Sequence, residues 1–131
     1  MRRFVRSMIP AGLALFGACC TVAFAQGANP YNGSWALQLQ TPQRGAVTGS
    51  VEVKGEGGTY KTVANDRSDA CAGREAPIVV RAATPGELTF RVMRSTVLAG
   101  CPDFQVQMKR VDDTRLEGAL GNGWKVQMTR Q

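Results

Sequence analysis

The chain contains no histidine. That absence excludes Ser-His and Cys-His nucleophile pairs and every imidazole metal site. No run of like charge is present to act as an interaction tail. Beyond residue 25 no stretch sustains a helical apolar period, so a helical core is not expected. The glycine-rich segment Gly55-Glu56-Gly57-Gly58 lacks the Lys-Ser/Thr pair that completes a phosphate loop, and reads as a hairpin turn. Carboxylates are poorly arranged for chemistry. Asn65, Asp66, Asp69 and Glu75 do not have the spacing of an EF-hand loop and read as a solvated loop. Asp112 and Asp113 are adjacent, so their side chains diverge, as in a turn rather than a catalytic pair across a cleft. The expectation is a protein that is not an enzyme and uses no cofactor and no metal.

What is present begins with an address. Arg2, Arg3 and Arg6 precede an uncharged run, Met8 to Ala25, that ends in Ala23-Phe24-Ala25. A basic start, an apolar middle and small residues before a cut are the parts of a secretory signal, with cleavage between Ala25 and Gln26. Two alternatives stay open. The run is near the lower length for a membrane span, although Pro10 and the small residues at its end favour cleavage. Gly17-Ala18-Cys19 also ends like a lipoprotein site, although Phe16 stands where leucine is usual. The division is then 1–25 as signal peptide and 26–131 as one domain, delivered to the periplasm or the extracellular space. The mature chain has no transmembrane segment on this reading.

Loss of Arg2, Arg3 and Arg6 lowers the formal charge from +6 to +3. The remaining basic and acidic residues are mixed, which is no footprint for nucleic acid. Cys71 and Cys101 are the cysteines left, and in an oxidising compartment an even pair forms a disulfide. Two thiols without histidine make a poor metal site. The closed loop of about 30 residues is worth ~3.5 kcal/mol in the chain-entropy account, a large share for so small a domain.

From Trp35 onward apolar and polar residues alternate, which is the pattern of strands with one face buried and one wet. Strands are predicted around Trp35–Gln40, Val47–Lys54, Thr59–Ala64, Ile78–Arg81, Leu88–Met93, Phe104–Lys109, Arg115–Leu120 and Trp124–Thr129. Turn residues separate them: Gly55 to Gly58, Thr84-Pro85-Gly86, Asp112-Asp113 and Gly121-Asn122-Gly123, with Asn122-Gly123 expected at positive φ in a tight hairpin. The fold class is all-β: a single antiparallel meander of about eight strands, closed or nearly closed into a small barrel, with one disulfide. In such a meander, connections after odd strands share one end. Cys71 follows the third strand and Cys101 the fifth, so the two meet without backbone movement.

Gly33-Ser34-Trp35 resembles the Gly-x-Trp opening of calycin barrels, which include lipocalins and avidin-type biotin binders. It also resembles the first strand of the small periplasmic barrels that inhibit secreted bacterial metalloproteases. The segments Leu116-Glu117-Gly118 and Gly123-Trp124-Lys125-Val126 are similar to small exported bacterial β-barrel proteins. The resemblance implies a barrel and a binding role, and no family site residue carries over: neither a biotin-contacting set nor an inhibitory N-terminal trunk is matched.

Three candidate sites follow. The first is the pair of long connections tied by Cys71–Cys101, where Arg67, Asp69, Arg74, Arg94 and Asp103 offer charge-assisted hydrogen bonds to a partner. The second is an apolar ligand floor made by Trp35 and Trp124 on the first and last strands, against the plainer reading that both indoles pack the core. The inward list contains many bulky groups, so a filled core without a sizeable cavity is expected. The third is a basic outer band of Arg81, Arg91, Lys109, Arg115 and Lys125, interrupted by Glu87 and Glu117, against an ordinary soluble surface. The functional expectation is an exported, non-enzymatic, monomeric binding or interaction module of the bacterial envelope. Its partner would be an unknown protein or an anionic envelope component, and inhibition of a secreted enzyme is one form of that role. The alternative is a carrier of a small apolar ligand inside the barrel.

Overall fold

The computed structural model describes residues 28–42, 45–63 and 69–131. The signal segment, its cleavage point and Cys19 lie outside those residues, as do Ala64 and Arg67. Eight strands run in chain order: β1 (Gly33–Thr41), β2 (Gly45–Lys54), β3 (Gly57–Thr62), β4 (Ala76–Thr84), β5 (Glu87–Val92), β6 (Phe104–Asp112), β7 (Arg115–Leu120) and β8 (Lys125–Arg130). A 3-10 turn, Arg94–Thr96, follows β5. Each strand pairs antiparallel with the next, and β8 returns to β1 from Trp35 opposite Arg130 to Gln40 opposite Lys125. The sheet is a closed barrel, and closure removes both free edges. No helix among the described residues is long and apolar enough to cross a membrane.

Alternation in the sequence becomes the two faces of the wall. Leu37 and Leu39 of β1, Val51 and Val53 of β2, Leu88, Phe90 and Val92 of β5, and Val126 and Met128 of β8 all point inward and are buried. Two β-bulges interrupt the alternation. One lies between Val80 and Ala82, the other between Arg110 and Asp112. Each adds one unpaired residue and sharpens the local twist, which helps a short sheet curl shut. The first bulge brings Ala83 back against the core, and β4 runs three residues past the predicted Arg81 to Thr84. The second leaves Val111 47% exposed on the wall. At Gly118 the turn of the wall is so tight that a Cβ would stand 1.8 Å from the Gln107 carbonyl oxygen. Only glycine fits there.

The connections behave as their residues dictate, with one difference. In the β7–β8 turn only Gly123 has positive φ; no described non-glycine residue does, Asn122 included. Instead, the Asn122 carboxamide oxygen accepts from the Trp124 backbone N–H at 3.0 Å, a local side-chain turn that spares Asn122 the left-handed conformation. That turn takes Trp124 out of β8, which starts at Lys125. The seam between β3 and β4 is the shortest in the barrel, with Thr59 opposite Pro77 and Tyr60 opposite Ala76. Beyond it the two strands part toward the long connection that carries Cys71.

The two ends of the barrel differ. One end is plugged by the segment before β1. Tyr31 is buried there and donates its hydroxyl hydrogen to the Thr84 carbonyl, while its own carbonyl accepts from the Trp35 indole N–H at 2.9 Å. Asn29 donates to the Gly55 carbonyl at 2.8 Å, and Asn32 accepts from the Gly55 N–H at 2.7 Å. Arg130 stacks over the Trp35 indole, 4.4 Å from the ring centroid. Its guanidinium donates to the Asn32 and Pro30 carbonyls at 2.8 and 3.0 Å. The other end carries the disulfide and, among the described residues, has no such plug.

Candidate functional site

Cys71 and Cys101 are bonded, with Cα atoms 5.7 Å apart, so the connections after β3 and β5 meet as the strand parity requires. Beside the bridge lies an open cavity of about 910 Å³. The inward side chains fill the barrel's middle as expected, and the expectation of no sizeable cavity is corrected at the disulfide end alone. Most inward side chains are almost fully buried, but Phe104, Leu120 and Trp124 are only partly so. All three sit at the disulfide end, where β3 and β4 have parted and no segment among the described residues plugs the barrel. The cavity's apolar walls are Leu39, Val47, Tyr60, Phe104, Leu120 and Trp124.

The rim is built from the tied connections. Asp103 accepts from the Ser95 backbone N–H at 2.8 Å and from the Ser95 hydroxyl at 2.9 Å, which fastens the 3-10 turn to the start of β6. The Ser95 amide is the main reason that the Asp103 carboxyl is held below its ordinary pKa, with Arg91 adding a smaller pull. Asp69 accepts from the Cys71 backbone N–H at 3.0 Å. The 3-10 turn places Arg94 above the Phe104 ring, 5.8 Å from its centroid. The Tyr60 ring meets the same Phe104 edge-on, with centroids 5.5 Å apart and planes at 78°. Burial pushes the Tyr60 phenol up to about 12, and Arg94 pulls it part of the way back. The phenol is therefore a neutral donor at ordinary pH.

The sequence-predicted site residues fare differently. Asp69, Arg94 and Asp103 line the same cavity. Arg74 is exposed and folds its Nε onto the Ala70 carbonyl at 2.9 Å, a contact within its own loop. Arg67 lies outside the described residues. The two tryptophans do not share a floor. β1 and β8 are antiparallel, so the start of one lies beside the end of the other: Trp35 is opposite Arg130 at the plugged end, and Trp124 stands at the open end. Trp35 is 1% exposed and packs the core, whereas Trp124 walls the cavity. Tyr60 and Phe104 were missed as site residues because their inward positions read as plain core. Their place near the disulfide end was the available signal.

The outer band is mixed rather than basic. Lys109 lies in register between Glu87 on β5 and Glu117 on β7. Arg115 is 3.9 Å from Asp112. Arg91 turns to the rim, where it lines the cavity near Asp103. Opposite charges at directly paired positions cancel much of the field that an anionic partner would feel. Among the described residues, no group of three or more His, Cys, Asp or Glu is placed to hold a metal ion.

No protein-family model matches the chain, and no curated protein does. Among solved structures it is similar to a redesigned β-barrel, at 16% identity and a TM-score of 0.50, over 78% of this chain and 92% of that one. At that identity the likeness concerns the fold: a small closed barrel.

Proposed function

We propose that this protein is a non-enzymatic binding module that takes a small apolar ligand into the disulfide end of its barrel. One observation carries the reading: an open cavity of about 910 Å³ whose walls are largely aliphatic and aromatic, with a few charged and polar side chains among them. That is the usual form of a small-molecule site, concave and mostly apolar with a few convergent polar groups. Catalysis has no support in the same place. The rim carboxylates are engaged with Ser95 and Cys71 amides, and the chain has no histidine to serve as a base. The signal-like N-terminus supports a location outside the cytoplasm, an environment that favours the disulfide at the rim.

Intrinsic fluorescence tests the proposal. Trp124 walls the cavity and Trp35 is buried at the other end. A panel of lipids and uncharged hydrophobic dyes is expected to shift emission, and Trp124→Phe is expected to abolish the shift while Trp35 emission persists. Emission unmoved across the panel overturns the reading. A second reading, a protein partner held by the rim loops, draws on Val63 and Val97, which are 54% and 41% exposed at the disulfide end. It requires that Val97→Glu weaken the partner and leave ligand binding intact.

A further inference from the structure

We propose that the ligand is an amphipathic anion, whose apolar body lies against Leu39, Phe104 and Trp124 and whose carboxylate or similar head is held by Arg94 and the Tyr60 hydroxyl. The inference rests on the cavity being a ligand site and names the class of ligand that fits it.

The charged and polar groups at the mouth differ in whether they are already satisfied. The acceptors are. Asp103 is occupied by two groups of Ser95, and Asp69 by the Cys71 amide. Two donors are not. Tyr60 is 5% exposed, yet no hydrogen-bond partner for its hydroxyl is found among the described residues. The hydroxyl is not sealed into the core either; it borders the cavity. A phenol that reaches the cavity can donate to an acceptor that enters it. Arg94 is half-buried on the same ring, and the ion pairs among the described residues, Lys54–Glu52, Arg110–Asp113 and Arg115–Asp112, leave it out. Its guanidinium has an aromatic face for a neighbour and no carboxylate.

Phe104 therefore holds two unsatisfied donors, one cationic and one neutral, around a single ring. Both border apolar space. An uncharged hydrocarbon would leave both donors unpaired on binding and strip water from them, which costs affinity. A cation would meet Arg94 directly. An anionic head satisfies both, and charge-assisted bonds from guanidinium and phenol to a carboxylate are the strong kind.

Two dyes separate the alternatives. Anilinonaphthalene sulfonate and phenylnaphthylamine share an aromatic body, and only the first is charged. The sulfonate is expected to bind the oxidised protein about tenfold more tightly than its uncharged parent, the worth of one hydrogen bond to a charged group. Arg94→Gln is expected to remove that preference and leave phenylnaphthylamine unchanged. Tyr60→Phe, which keeps the ring, is expected to lower sulfonate affinity about threefold. Arg81→Gln, exposed on the outer wall, is expected to change neither dye. Decanoate should displace the sulfonate at concentrations where decanol does not. Equal binding of the two dyes, equal displacement by decanoate and decanol, or an equal effect of Arg94→Gln and Arg81→Gln overturns the anionic head and leaves the ligand site standing. Failure of both dyes to bind overturns the ligand site, and the head with it.

Discussion

Tyr60 and Arg130 show how far one side chain decides the character of an end of the barrel. Tyr60 sits in apolar surroundings that favour its neutral form, so its pKa rises from 10.0 to about 12. A raised folded-state value contributes stability that is complete below pH 10 and is lost as pH climbs toward 12. Absorbance titration of the phenolate is expected to show Tyr60 ionising late, in the same range where a denaturation midpoint falls. Ionisation near the ordinary tyrosine value would show that the ring is not buried. At the other end, Arg130 combines an indole face with two backbone carbonyls. Arg130→Ala is expected to cost about 2 kcal/mol in urea denaturation, from a cation–π contact and two charged hydrogen bonds lost together. Arg130→Lys should recover only part of it, since an ammonium cannot reproduce the planar fork. Both roles were hard to see in the sequence, where Tyr60 and Arg130 are single members of an alternating pattern.

Among the elements, the strands were legible and their interruptions were not. Alternation locates all eight, because a half-buried strand writes its two faces into consecutive residues. It does not announce bulges, which is why β4 extends past Arg81 and Val111 lies unpaired on the wall. Nor does it separate a glycine that turns the chain from one that lets two strands touch. Gly118 is the second kind. Gly118→Ala is expected to cost roughly 3 kcal/mol or more, because the added methyl meets a backbone oxygen that has no rotamer to escape by. A circular-dichroism melt unchanged by that substitution would show that the strands part easily there. The disulfide belongs to this scale as well. Reduction is expected to lower stability by up to ~3.5 kcal/mol, the entropy of a loop of about 30 residues. Amide exchange should rise in the connections after β3 and β5 while β1, β2, β7 and β8 stay protected, since the pairing of those strands does not depend on the bridge.

For the molecule as a whole, two ends built from the same eight strands do different work. The plug, the Tyr31 hydrogen bonds and the Arg130 stack cover one end, where a smaller pocket of about 400 Å³ remains. The open end has a fastened rim and an apolar interior. A rigid wall with one open mouth suits capture of a ligand with little rearrangement, which limits the entropy cost of binding. Export is the remaining proposal at this scale. Protein recovered from outside the cytoplasm is expected to begin at Gln26 by mass spectrometry. An intact N-terminus, or a diacylated Cys19, would replace cleavage after Ala25 with anchoring.

The amino-acid sequence alone determined the class, the strand count, the pairing of Cys71 with Cys101 and the absence of imidazole chemistry. These depend on local periodicity, on the parity of a meander and on composition. Parity also contained the separation of Trp35 from Trp124, because the first and last strands of an even meander run in opposite directions. The site itself was a matter of three-dimensional packing. Whether an eight-stranded barrel is filled or open depends on how tightly neighbouring strands pair, on the bulges and on what plugs each end, and none of these has a period. The early parting of β3 from β4 opens one mouth and Tyr31 closes the other. Tyr60 and Arg94 then line that mouth together, although 34 positions separate them in the chain. Residues so far apart meet only when the barrel closes.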